Sequence, residues 1–172
     1  LNTDYTGIEV EYFLNDSECK IFITTTKMLK ELDSLERQRS FNIETIDADY
    51  KGSFFSNFNE NEPLDFIEGL DEDDTAAILY TSGTTGQSKG AMLSQKNLLS
   101  NALTLSKAWE FTASDILLHA LPIYHTHGLF VATNVILLSS AKMIFLEKFE
   151  LETITNNLPY ETVLMGVPTY YS

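Results

Sequence analysis

Ten consecutive residues, Thr81-Ser82-Gly83-Thr84-Thr85-Gly86-Gln87-Ser88-Lys89-Gly90, carry the densest chemistry in the chain. The three glycines let the backbone take positive φ angles and approach a ligand closely. Successive backbone N–H groups in such a turn form an anion-binding concavity. Thr81, Ser82, Thr84, Thr85 and Ser88 add hydroxyl donors, and Lys89 adds a mobile point charge. This inventory suits a polyphosphate that must be gripped and then partly released. The string is not the G-x-x-x-x-G-K-[ST] phosphate loop, because Gln87 and Ser88 separate Gly86 from Lys89, and Gly90 follows. A Ser/Thr/Gly stretch alone would favour a hydrophilic hairpin or loop rich in turn formers; the full string after an apolar strand favours the ligand-binding reading.

A second concentration is His119, His125 and His127, three histidines within nine residues. No cysteine accompanies them and the nearest acid is Asp115, so the spacing supplies no metal-ligand set. On a strand, His119 reads as a buried, hydrogen-bonded structural side chain.

These residues need elements to position them. Ala76–Tyr80 is a continuous apolar run before the glycine-rich string, as expected of a strand buried on both faces of a parallel sheet. Ser94 caps a helix whose Leu98, Leu99, Ala102, Leu103, Leu105 and Trp109 lie along one broad face. Ile116–Ala120 reads as a strand, Gly128–Leu138 as a buried helix and Met143–Leu146 as a strand. Phe149–Asn157 follows as a helix and Thr162–Met165 as a last short strand. Strands alternating with helices over such connections predict an α/β fold, parallel-stranded layers wrapped by helices.

The first part of the chain is less regular. Thr6 and Glu9 form an S/T-x-x-E capping box, with Tyr5 placed to staple onto Val10 and Asn15-Asp16 ending the helix. Ile21–Thr25 reads as a strand, Lys27–Arg37 as a helix and Phe41–Ile46 as a strand. Residues 48–61 are polar, aromatic and aperiodic, a surface excursion. Asp71-Glu72-Asp73-Asp74 reads as a solvated turn rather than a metal site. The division expected is an acidic first lobe over 1–74 and a lobe over 75–172 that carries the glycine-rich string and the three histidines.

Charge supports that division. The net charge is −14, which argues against nucleic acid and anionic membranes as partners. Residues 1–74 hold 19 acids against 6 bases, whereas the remaining 98 hold 6 against 5, so an anionic substrate is expected in the second part. No apolar run approaches the ~18–20 residues of a membrane helix. Cys19 is alone, so no internal disulfide can form, and the expected location is the cytoplasm or an organelle matrix.

Tyr80–Gly90 resembles the signature of the AMP-binding, adenylate-forming superfamily, which includes acyl-CoA synthetases, luciferases and peptide-synthetase adenylation domains. A second family block is Ala120-Leu121-Pro122-Ile123-Tyr124-His125-Thr126-His127-Gly128-Leu129-Phe130. Leu1-Asn2-Thr3, Ala77–Met92, His119–Val131 and Val163–Tyr171 together are most similar to malonyl-CoA synthetases. The resemblance implies a two-step ligase using ATP, Mg2+ and coenzyme A. A carboxylate attacks the α-phosphate of Mg-ATP to give acyl-adenylate and pyrophosphate, and CoA thiol then displaces AMP. It implies nucleotide contacts by Thr81, Ser82, Gly83, Thr84, Thr85, Gly86, Gln87, Ser88 and Lys89. Thr84, Lys89 and His125 would be catalytic, with the His125 imidazole beside the reacting carboxylate. His127 and Gly128 would border the acid, a polar His127 suiting a short polar acid; a packed structural role for His127 is the equal alternative.

The resemblance also implies parts that these residues do not contain. A later Thr-Glu motif, a ribose-binding Asp, an Arg for a second carboxylate and a small C-terminal domain with its catalytic Lys find no match. The chain therefore reads as a piece of the large N-terminal domain, cut at both ends. Alone it is expected to form no thioester, and self-association through uncovered apolar surface is expected. The best substrate is malonate. Methylmalonate, aryl or fatty acids, or a nucleotide-binding module without turnover, are the alternatives.

Overall fold

A computed structural model describes residues 1–2, 4–32, 41–56, 66–81 and 88–171. The chain divides into two units, Leu1–Gly69 and Leu70–Ser172.

In the first unit, α1 (Gly7–Asp16) starts at Thr6, whose side chain accepts from the Glu9 N–H while the Glu9 carboxylate accepts from the Thr6 N–H. That reciprocal pair satisfies two of the donors a helix start leaves open. Strand β1 (Ile21–Thr24) leads to α2 (Thr26–Glu31), and β1 pairs in parallel with β2 (Asn42–Thr45). The expected helix over Lys27–Arg37 ends at Leu32 as far as it is described; residues 33–40 lie outside the described residues. Val10, Leu14 and Leu32 form the core, with Tyr5, Cys19 and Phe22 packed on it, so Tyr5 joins the cluster that holds Val10. The excursion after β2 holds a 3-10 turn at Ala48–Tyr50 and the single turn α3 (Ser53–Ser56); residues 57–65 lie outside the described residues.

In the second unit, β3 (Thr75–Thr81) and β4 (Lys89–Ser94) pair antiparallel, in their own two-stranded sheet. This corrects the expectation that Ala76–Tyr80 is buried on both faces of a parallel sheet. No residue of β3 is buried, and the strand is half-exposed at best. The reason is chain length, because a parallel return needs a crossover of a dozen or more residues and the intervening segment is far shorter. The sequence concealed β4 because Gly90 and Ala91 are weak strand formers.

The strand buried on both faces is β5 (Ile116–His119), the centre of a parallel sheet ordered β6-β5-β7, with β6 at Lys142–Phe145 and β7 at Val163–Met165. Its side chains alternate between two cores. Leu117 meets Ala132, Ile136 and Met165, and Leu118 meets Ile154 of α6 (Leu151–Asn157). Between β5 and β6 the chain forms a π-helical turn, His127–Ala132, continuing into α5 (Thr133–Leu138). The expected helix over Gly128–Leu138 is therefore wide in its first half. The α/β class with helix-wrapped parallel strands is as expected.

Helix α4 (Gln95–Ala108) joins these parts. The Ser94 side chain accepts from the Asn97 N–H, and the Asn97 side chain caps the Ser94 N–H in return. From that start α4 packs against both hairpin strands, the π-helical turn and α5. Before the hairpin, the Asp71–Asp74 run is an exposed turn in which Asp74 accepts from the Asp71 N–H at 2.8 Å and Glu72 pairs with Lys96. Among the described residues, no group of three His, Cys, Asp or Glu is arranged to hold a metal, and no helix is long and apolar enough to cross a membrane.

Candidate functional site

The hairpin brings the two ends of the glycine-rich string together. Thr81 and Lys89 are cross-strand partners, and Tyr80 faces Gly90. Ser82, Gly83, Thr84, Thr85, Gly86 and Gln87 lie outside the described residues. Thr81 and Lys89 are exposed and Ser88 is half-buried, so the Lys89 ammonium is accessible to an anion. Gly90 sits where an added Cβ would come within 2.8 Å of Ile78 Cγ2 and 3.3 Å of the Tyr80 ring, so glycine lets β4 lie close over β3 side chains.

The second group of candidates follows β5. The parallel strands β5 and β7 end on one edge, with β5→β6 crossing one face and β6→β7 the other. Chain segments leaving the carboxyl ends at such a switch point frame a crevice, the usual ligand position in open α/β sheets. The segment leaving β5 turns at Pro122, whose carbonyl accepts from the His125 N–H at 3.2 Å. The His125 carbonyl in turn accepts from the Leu129 N–H at 3.0 Å. His125 is exposed, with its ring 4.6 Å from that of Tyr124, whereas His127 is half-buried and Gly128 buried.

Gly128 is fixed by space. A Cβ there would stand 2.4 Å from the Pro122 carbonyl oxygen and 3.2 Å from that of Leu121, a backbone contact that no rotamer change relieves. Glycine at this position thus lets the start of the helical segment lie against the Leu121-Pro122 backbone. The Gly128 carbonyl accepts two side-chain bonds, from Thr133 Oγ1 at 3.1 Å and from His119 Nε2 at 2.8 Å.

His119 is buried, as expected of a structural histidine, with its ring against Phe145 at 5.0 Å. Because its partner is a carbonyl, Nε2 carries the proton and Nδ1 is a bare acceptor. Nδ1 has no hydrogen-bond partner among the described residues. Leaving a buried acceptor unpaired costs about 1–3 kcal/mol.

The segment leaving β7 closes the same edge. Tyr170 donates its hydroxyl to the Ala120 carbonyl at 3.2 Å and stacks on Phe149 at 4.0 Å. Burial, reinforced by nearby Tyr124, pushes the Tyr170 phenol above its usual range, so it remains a donor. Thr133 and Tyr170 escape sequence reading. Each acts through a main-chain carbonyl, five residues back for Thr133 and fifty for Tyr170, and neither hydroxyl is marked out by its neighbours in sequence. Burial also raises the Glu161 carboxyl, whose Oε2 has no partner among the described residues.

The chain as a whole is similar to known proteins. The family model described as AMP-binding enzyme matches residues 1–172. The malonate–CoA ligase of Arabidopsis thaliana is 30% identical over 187 residues, covering 100% of this chain and 31% of the relative. The mitochondrial malonate–CoA ligase ACSF3 of Mus musculus is 31% identical, covering 95% of this chain and 28% of its own length. Among solved structures, ATP-bound MatB from Rhodopseudomonas palustris superimposes with a TM-score of 0.88 at 48% identity, over 99% of this chain and 34% of that one. A malonyl-CoA ligase in a ternary product complex with methylmalonyl-CoA and AMP gives 0.76 at 26% identity, over 99% and 34% of the two chains. The chain spans about a third of the length of the relatives it matches.

Proposed function

This chain belongs to the AMP-binding enzyme family, and we propose that it forms the phosphate-loop part of the large N-terminal domain of an ATP-dependent acid–CoA ligase. Malonate is the acid this reading favours. The observation that carries it is the superposition of 99% of the chain on ATP-bound MatB, at 48% identity and a TM-score of 0.88. Sequence similarity to two malonate–CoA ligases supports the acid.

In the first step a carboxylate oxygen forms a bond to the α-phosphorus and the bond to the pyrophosphate oxygen breaks. Negative charge grows on the departing pyrophosphate. The hydroxyls and N–H groups of Thr81–Ser88, together with the Lys89 ammonium at the head of β4, would stabilise that charge. Lys89 is a point charge on a flexible stem, so it follows the pyrophosphate as it leaves. Mg2+ would be held mainly by the nucleotide's own phosphate oxygens, where it would neutralise charge on the departing pyrophosphate. The exposed His125 ring donates to a carboxylate or phosphate oxygen, and His127, one turn residue before the close contact at Gly128, faces the acid. In the second step the CoA thiolate attacks the acyl carbon and AMP leaves.

Methylmalonate is the second acid this reading admits, on the methylmalonyl-CoA complex of the 26% identical ligase. Leu99, Leu103 and Leu137 are more than half exposed; the rest of the ligase or self-association would cover them, which sedimentation of residues 1–172 distinguishes. Residues 1–172 alone should form no thioester. Cytoplasm or an organelle matrix is the proposed location, one relative being mitochondrial. Acid-dependent exchange of labelled pyrophosphate into ATP by the ligase tests the reaction class. Malonate should support exchange; a ligase that exchanges with no acid would overturn the reading.

A further inference from the structure

We propose that His119 is the positioning residue of the acid-binding turn, its Nε2–H tethering the Gly128 carbonyl so that His125 and His127 are presented at fixed height. This deepens the ligase reading and rests on it for the roles of those two histidines.

The side chain is too poorly suited to filling space for packing to be its purpose. It is 1% exposed, flanked along the strand by Leu118 and Ala120, and leaves Nδ1 without a partner among the described residues. A leucine would fill such a place without an orphaned acceptor. What an imidazole supplies is one directed donor, and here it is spent on a main-chain carbonyl nine residues away. That carbonyl belongs to the residue directly after His127 and three after His125.

The tether also has a defined orientation. Phe145 lies 5.0 Å from the imidazole and tilted by 49°, which restricts ring rotation. A π-helical turn begins at His127, and its wider ring is less self-supporting than α-helix. Thr126 offers no side-chain cap to that turn. The turn is therefore held in part from outside: the Leu121-Pro122 backbone lies close to Gly128, and His119 of β5 donates to the Gly128 carbonyl, which also accepts from Thr133 where the turn ends. Loss of the His119 bond lets the turn shift, and a displacement of about 1 Å between reacting groups can cost ~10²-fold in rate.

The test compares His119→Gln, His119→Asn and His119→Leu in the ligase. The glutamine amide nitrogen reaches the place of Nε2 and can still donate to Gly128, whereas that of asparagine reaches only the place of Nδ1. Gln should rescue acid-dependent pyrophosphate exchange, while Asn and Leu lose ~10²-fold in kcat with KM for ATP unchanged, since the hairpin holds the nucleotide. Equal activity of the Gln and Asn enzymes, high or low, overturns the proposal, and so does a Leu enzyme as active as wild type. Should Asn or Leu fail to fold, 15N NMR of His119 in the wild-type protein decides. A static Nε2–H tautomer supports the tether, and an Nδ1–H tautomer or exchanging ring overturns it. A wild-type ligase inactive with every acid refutes the reaction class instead, and leaves the NMR result to judge the bond.

Discussion

Thr81 and Lys89 are direct partners across an antiparallel strand pair, so the residues that open and close the glycine-rich segment stand side by side. A lysine held this way at the head of β4 is placed by main-chain hydrogen bonds rather than by its own packing. Lys89→Ala should therefore leave the fold unchanged by circular dichroism and slow pyrophosphate exchange by ~10–10³-fold, as for removal of one charge-stabilising group. A normal exchange rate would remove Lys89 from the proposed mechanism.

Two glycines with superficially similar crowding should behave differently. At Gly128 the added methyl meets the Pro122 carbonyl oxygen at 2.4 Å; at Gly90 it meets the Cγ2 methyl of the Ile78 side chain at 2.8 Å. Backbone cannot step aside as a side chain can. Gly128→Ala should cost about 1–3 kcal/mol of unfolding free energy, the usual range for overpacking, and Gly90→Ala clearly less. Denaturant midpoints of the two variants decide, and the reverse order would mean that the turn before Gly128 is looser than its contacts indicate.

Asp115 links the starting ends of β5 and β7. It accepts from the Thr112 N–H at 2.7 Å and from Thr162 Oγ1 at 2.9 Å, while Thr162 Oγ1 accepts from the Ile116 N–H. These bonds favour the carboxylate, with the Thr112 N–H the largest cause, and hold the group below its usual range. A lowered native pKa means stability that is fully present above the unfolded pKa of about 4 and is lost as pH falls through the native value. The stability gap between wild type and Asp115→Asn should be constant from about pH 7 to pH 5 and shrink below pH 4. Glu9, Asp47 and Glu150 are also lowered, but they occur in both proteins and cancel. A gap that widens on acidification would contradict the assigned hydrogen bonds.

Local signals in the sequence proved readable where a few neighbouring residues decide the outcome. Thr6 with Glu9, and Ser94 at its helix start, announce their caps because both partners lie within one turn. Strands β5, β6 and β7 are short apolar runs between turn formers, and their positions were legible to within a residue or two. Hairpin pairing was not, since Gly90 and Ala91 carry little strand preference and only the register with Ile78–Tyr80 makes them a strand. The bonds from His119 to Gly128 and from Tyr170 to Ala120 were hidden for a related reason. Each ends on a carbonyl, which every residue has, so side-chain types alone cannot reveal it. Residues 82–87, the heart of the sequence-based site, lie outside the described residues, and their roles stand as proposals.

The choice of acid bears most directly on the account. Tyr124-His125-Thr126-His127-Gly128 offers polar groups where a channel for a long alkyl chain would need apolar ones. A site that pairs a second carboxylate leaves its donors unmet when acetate binds, and discrimination of ~10³-fold or more can follow. His125→Ala should impair every acid, and His127→Ala should change the ratios between acids. The decisive measurement is kcat/KM of the ligase for malonate, methylmalonate, acetate and octanoate. Malonate should lead, with acetate and octanoate lower by ~10³-fold or more; octanoate in first place would contradict the account.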